Sequence, residues 1–183
     1  MPRWQLKPEA SIFGGKKLKK EREAGPATLL GSLALLVAGL WIFWPALHGG
    51  WLWDDELCIL NNDIIHSSQG YWKVWVNPDG LGAYYPLTSL AEWVEWQFWG
   101  SETLGYHLVT VALHISSAFL LWRLFFRLGF RFSWLGAMLF LVHPVMVESV
   151  AWIAELKNTL SLPPLLLAVL TWLDYDEKEN PEA

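Results

Sequence analysis

Apolar residues fall into four blocks, separated by polar segments of contrasting charge. No Asp, Glu, Lys or Arg occurs between Glu23 and Asp54. Within that stretch, residues 26–47 make an apolar run of about 22 residues, roughly 33 Å as a helix, enough to cross the hydrocarbon core of a bilayer. The run exceeds a signal-peptide core of about 7–15 residues, and no small-x-small cleavage site follows it, so it reads as an uncleaved anchor. A second block covers 104–127, a turn follows at 128–131, and a third block covers 132–147. The fourth, 159–173, is short for a span at about 15 residues, and Pro163-Pro164 is expected in its first helical turn. Residues 48–103 form a long loop, punctuated by the turn signal Asn77-Pro78-Asp79-Gly80. Inside it, Leu87, Leu90, Ala91, Val94 and Phe98 recur at helical spacing, flanked by Trp93, Trp96 and Trp99. This predicts an interfacial helix over 86–99, its polar side formed by Glu92 and Glu95, packed against the spans. The fold class is therefore an all-α integral membrane protein, with three to four transmembrane helices and a long external loop.

Charge supplies the orientation. Lys16, Lys17, Lys19, Lys20 and Arg22 precede the first block, and Arg123, Arg127 and Arg131 follow the second. Both sets place the N-terminal segment 1–25 and the turn 128–131 in the cytoplasm, with 48–103 and 148–158 external and an acidic cytoplasmic tail at 174–183. The basic run reads as a topology signal that touches anionic headgroups, not as a nucleic-acid site. The net charge of −5 conceals this segregation of signs. A 54% hydrophobic composition and 14 tryptophans agree with a lipid bilayer as partner. Cys58 is the only cysteine, so no internal disulfide forms, and it reads as a small apolar filler. No 34-residue repeat is present.

Candidate chemistry begins at Asp54-Asp55-Glu56, just past the first block. Adjacent carboxylates raise one another's pKa unless a cation neutralises them. The pair Asp54 and Asp55 could hold a divalent metal such as Mg or Mn, or one could act as base toward a hydroxyl. The alternative is a helix cap with acids at a helix start. His107 and His114 are seven apart and share a helix face, and titratable groups at that depth face a bundle interior or polar cavity. His143 lies near the end of the third block, with Glu148 five residues on. A continuing helix would align Glu148, Trp152 and Glu155. Lys157 and Lys73 are the external cations, and Lys157 is better placed for a phosphate-bearing donor. The bland alternative for these groups is interhelical hydrogen bonding and interface anchoring.

Several of these residues fall in one order of motifs: Trp53-Asp54-Asp55, Ile59-Leu60-Asn61-Asn62, Tyr84-Tyr85-Pro86-Leu87-Thr88, Trp99-Gly100, Gly105-Tyr106-His107 and His114. The longest piece is His143-Pro144-Val145-Met146-Val147-Glu148-Ser149-Val150-Ala151-Trp152-Ile153, continuing through Glu155-Leu156-Lys157-Asn158-Thr159. From about residue 26 to 173 the chain resembles the N-terminal membrane part of the transmembrane and tetratricopeptide-repeat O-mannosyltransferases, particularly bacterial relatives. The resemblance implies part of a C-type membrane glycosyltransferase fold. It implies transfer of a mannose-like sugar from a polyprenyl-phosphate donor to a protein hydroxyl on the external face, in the bacterial inner membrane or, in a eukaryote, the endoplasmic reticulum. It maps the family's acidic feature onto Asp54 and Asp55, while the residue reading above gives His107, His114, His143, Glu148, Glu155 and Lys157 as substrate-binding candidates. Thr110 replaces an Asn common in relatives, Leu156 replaces an Arg, and Pro163-Pro164 is unusual. The family has more spans and a repeat domain. Two other readings are an inactive, truncated membrane scaffold and an ion or proton pathway lined by His107, His114, His143 and Glu148.

Overall fold

The computed structural model describes residues 26–77 and 84–179. The basic segment 1–25, the turn from Pro78 and the last four residues of the tail lie outside them. Among the described residues the secondary structure is helical, with no strand. Two helices among the described residues are long and apolar enough to cross a membrane: α5 (Thr103–Arg127), and the stretch Ile153–Glu179 that contains α8 (Leu156–Glu179).

The first apolar block gives α1 (Pro26–Ile42), 17 residues and not the full 26–47. Pro45 has no N–H to continue the ladder, so the chain turns and forms a 3₁₀ turn at Ala46–His48. His48 Nδ1 bonds the Trp44 carbonyl at 3.0 Å across that turn. The loop then folds into short helical pieces, with α2 at Asp63–His66 and α3 at Gly70–Val76. Asn62 caps α2, its Oδ1 accepting from the N–H of Ile64 and Ile65. Next come α4 (Pro86–Trp99), α5, and α6 (Ser133–Val142). The third block is thus not one continuous helix over 132–147. His143 precedes a proline and is extended at ψ 129°, which ends α6 after 10 residues, and α7 (Met146–Ala151) starts again beyond it. Helix α8 is longer than the 159–173 expected. It starts at Leu156, so Pro163 and Pro164 lie in its interior, and 174–179 are its last turns instead of a separate tail.

Helix α5 is the axis of the molecule, touching α1, α4, α6, α7 and α8. Leu35, Phe43, Val111, Ile115, Ala118 and Leu141 form the core between α1, α5 and α6. The backbones come close there: a Cβ on Gly39 would sit 2.6 Å from the Ile115 side chain. Trp134 Nε1 also donates to the Gly31 carbonyl at 3.1 Å. At the far end of α5, Arg127 is nearly buried and bonds both Asp174 and Glu177 of α8, the latter at 2.9 Å. These contacts make α5 and α8 run the same way, with α1 and α6 opposed.

Helix α4 has the predicted bounds but the opposite orientation. Its buried residues are Thr88, Ser89, Glu92 and Glu95, at i, i+1, i+4 and i+7, whereas Leu87, Val94 and Phe98 are exposed. The tryptophans decide this. Trp93, Trp96 and Trp99 pack inward on Ile59, Ile65, Tyr106 and Ile153. Trp93 Nε1 donates to the Ser67 carbonyl at 2.8 Å, and Trp96 stacks on His66 at 3.8 Å. The indole area buried, with its polar edge satisfied, outweighs what Leu87, Val94 and Phe98 would gain by turning in.

Candidate functional site

Asp55 is fully buried, but not as a helix cap. A single helical turn, Glu56–Leu60, follows it, and its side chain makes no capping bond there. Oδ2 accepts from the Leu52 N–H at 2.9 Å, and Oδ1 accepts from the Ala154 N–H at 2.7 Å. The second bond spans 99 positions and depends on a break in the chain. Trp152 is extended (φ −100°, ψ 118°), which stops α7 and frees the Ala154 N–H for Asp55. Glu148, Trp152 and Glu155 are therefore not on one continuous helix. Trp53, just before the acids, has φ 44°, a left-handed conformation that is costly for a bulky residue, and its ring meets Trp152 edge-on at 5.1 Å. Burial raises the Asp55 pKa, and the two backbone donors oppose that rise.

Asp54 stays exposed and lines a cavity of about 140 Å³, together with Ser89, Glu92, Trp152, Glu155 and Lys157. Lys157 Nζ bonds Glu155 Oε1 at 2.6 Å and lies 5.8 Å over the Tyr85 ring. Asn158 Nδ2 donates to the other Glu155 oxygen at 2.5 Å. Glu92 is 5% exposed. Burial pushes it up to about 7, Asp55 adds to the rise, and Lys157 and the Ser89 hydroxyl oppose it. Burial pushes Glu95 up to about 8, with Glu92 adding to it. Both Glu95 oxygens are sealed and have no hydrogen-bond partner. Tyr85, Thr88 and Lys157 also line a second, much larger cleft of about 1210 Å³ between α4, α5 and α8. Its walls are the outward face of α4 (Leu87, Ala91, Val94, Phe98) with Val109 and Leu160. Pro163 and Pro164 bring no N–H to the carbonyls of Thr159 and Leu160, one turn back on α8.

Of the residues singled out in the sequence, Asp54, Glu155 and Lys157 come together in the cavity, and Asp55 is buried beside it. The others lie elsewhere. His114 Nε2 faces the Leu141 carbonyl at 3.1 Å, with its ring against Phe43 and Phe140, so it ties α5 to α6. His107 is buried against Gly49, where a Cβ would lie 3.0 Å from Nε2. His143 is exposed, and its Nδ1 accepts from the Val145 N–H at 3.3 Å. Glu148 is also exposed and does not line the cavity. Lys73 bonds the Ser67 hydroxyl at 2.9 Å, apart from the site. Among the described residues, no group of three or more His, Cys, Asp or Glu is placed to hold a metal ion. Of the Asp54 and Asp55 pair, Asp54 is exposed and each Asp55 oxygen accepts one backbone N–H. Glu92 is the cavity residue that sequence reasoning missed. Thr88, Ser89, Glu92 and Glu95 share one helix face, a spacing that marks the polar side of the helix without saying what covers it.

No protein-family profile and no solved structure matches the chain. Curated relatives do. A protein O-mannosyl-transferase of Caenorhabditis elegans is 28% identical over 170 residues, covering 82% of this chain and 25% of that protein. Protein O-mannosyl-transferase TMTC3 of Mus musculus is 29% identical over 152 residues, covering 76% of this chain and 16% of the relative. TMTC4 of Mus musculus is 28% identical over 187 residues, covering 86% and 25%. The chain spans a quarter or less of the length of these relatives. Over most of its own length it is similar to proteins named as protein O-mannosyl-transferases.

Proposed function

We propose that this chain is a membrane glycosyltransferase module that binds a polyprenyl-phosphate sugar and presents it to a protein hydroxyl. One observation carries the reading: a small polar cavity adjoins a long apolar cleft, and Tyr85, Thr88 and Lys157 line both. An amphiphilic donor needs that pairing. The polyprenyl chain lies along Leu87, Val94, Phe98 and Leu160, and its phosphate meets the Lys157 ammonium where the two spaces join. Lys157 is held for this by Glu155, which is in turn oriented by Asn158. The acceptor hydroxyl enters past exposed Asp54. The similarity to protein O-mannosyl-transferases supports a sugar donor and a protein acceptor. In this proposal the bundle is part of a C-type fold in the bacterial inner membrane (the endoplasmic reticulum in a eukaryote), with a cytoplasmic N-terminus and the cavity external.

The test is sugar transfer by the intact protein in proteoliposomes, from polyprenyl-phosphate mannose to a hydroxyl-bearing peptide. Lys157→Gln raises the KM for the donor about tenfold or more, through loss of a charge-assisted contact to phosphate. Asp54→Asn lowers transfer and leaves thermal stability unchanged, whereas Asp55→Asn lowers both. Donor KM indifferent to Lys157 and transfer indifferent to Asp54 would remove the site from this cavity.

A further inference from the structure

Helix α4 turns Glu92 inward while leaving Leu87, Val94 and Phe98 outside, against the usual preference of a glutamate for water. The other carboxylates near the cavity are already engaged or open to water. Asp55 accepts two backbone N–H groups. Glu155 is bound to Lys157 and Asn158. The Glu95 oxygens are sealed. Asp54 is exposed, where water competes for its hydrogen bonds. Glu92 is 5% exposed and forms part of the cavity wall, and the group that hydrogen-bonds it is the Ser89 hydroxyl, one turn back on the same helix. A carboxylate has about four lone-pair sites, so most of its accepting capacity is left for whatever fills the cavity.

The cavity of about 140 Å³ has room for roughly ten water-sized groups, at about 10–15 Å³ each, which is about the size of one hexose ring with its hydroxyls. The rings of Tyr85 and Trp152 give it apolar walls, and Ser89, Glu92, Glu155 and Lys157 give it polar ones. In the transferase reading above, on which this inference rests, the donor phosphate meets Lys157 where the two spaces join, so the sugar it carries lies in the small cavity. We propose that Glu92 reads that sugar, accepting hydrogen bonds from its hydroxyls, and so determines which sugar the site takes. The acceptor still enters past Asp54, so Glu92 selects the sugar and takes no part in moving the acceptor's proton. A donor that lacks the matching hydroxyl leaves buried Glu92 unpaired. A site of that kind rejects the analogue far more strongly than a loss of size alone does.

The experiment uses the intact protein in proteoliposomes with a hydroxyl peptide. It compares polyprenyl-phosphate mannose with monodeoxy analogues of the same donor, one for each free hydroxyl of the sugar. Wild-type protein is expected to use at least one deoxy donor about 30-fold or more worse than mannose in kcat/KM. Glu92→Met keeps the length of the side chain and removes both accepting oxygens. It is expected to shrink that penalty to within about threefold, by losing transfer of mannose while keeping that of the deoxy donor, with the peptide KM unchanged. A merely structural role lowers every donor alike and leaves the penalty as it was, and that result overturns the assignment. If Glu92→Met does not fold, Glu92→Gln decides, its amide trading one accepting oxygen for a donor, and an unaltered penalty in that variant overturns the assignment. Wild-type protein that transfers mannose but penalises no deoxy donor by more than about threefold overturns the assignment and leaves the transferase reading standing. Wild-type protein that transfers sugar from none of these donors overturns the transferase reading, and the assignment with it.

Discussion

Two glutamates three positions apart on α4 end in different states. Glu92 opens on a cavity with a lysine across from it, whereas Glu95 has no hydrogen-bond partner at all. A buried carboxyl without partners is tolerable only as the neutral acid. Its folded pKa of about 8 lies above the unfolded value of about 4.5. The folded state therefore holds the proton more tightly, so stability from Glu95 is complete below about 4.5 and is lost as pH rises through about 8. Glu95→Gln should flatten that alkaline decline and leave the protein at least as stable at pH 8, read as melting temperature against pH in detergent. An unchanged alkaline limb would show that Glu95 is solvated and ionised. Asp55 illustrates the opposite case. Its cost of burial is reduced in part by two backbone donors, each bond worth about 1.5–3 kcal/mol to a charged acceptor, though burial still dominates. Through those bonds Asp55 joins the loop at Leu52 to Ala154, just before α8.

At the scale of elements, helix α4 is positioned by aromatic packing against the start of α5. Gly105 is what lets them meet: a Cβ there would lie 2.0 Å from the Trp99 ring. The Tyr106 hydroxyl then donates to the Gly100 carbonyl at 2.8 Å. Gly105→Ala should push Trp99 outward and cost about 1–3 kcal/mol, with a red-shifted tryptophan emission as the readout. Unshifted emission and unchanged stability would place the close contact elsewhere. The sequence made α4 legible in extent but not in direction, because a helix with a polar and an apolar stripe fits either way round. What turned it was the indole of Trp93 reaching the Ser67 carbonyl 26 residues away, a contact no local pattern contains. The ends of α1 and α6 were similarly hidden. Hydropathy continues through Pro45 and Pro144, and only the backbone chemistry of proline stops the helix. Lys157 and Asp54 could be named in advance as site residues, since charges beside apolar spans are conspicuous. Their meeting with Glu92 depended on the extended Trp152, within a stretch that reads as continuous helix.

At the scale of the whole molecule, α5 and α8 run alongside each other, with the cleft near their first turns and the Arg127 clamp at their last. Arg127 is 7% exposed, and its two acidic partners are about half in solvent. Arg127→Gln should cost about 1–2 kcal/mol, reduced by that solvent screening, and speed amide exchange in the last turns of α8 by roughly tenfold. Exchange at the wild-type rate would mean that the clamp adds nothing to the end of α8. The other end is held too, by the Thr110 hydroxyl donating to the Val150 carbonyl at 2.9 Å and by the Asp55–Ala154 bond. Val109 on the cleft wall is about 27 Å of helix from the Arg127 clamp. Widening the cleft by about 1 Å then needs roughly 2° of relative tilt, which side chains absorb without breaking a backbone hydrogen bond. Tilt of that size would change the width of the cleft and would be felt most at the rim, where Glu155 and Lys157 line the polar cavity.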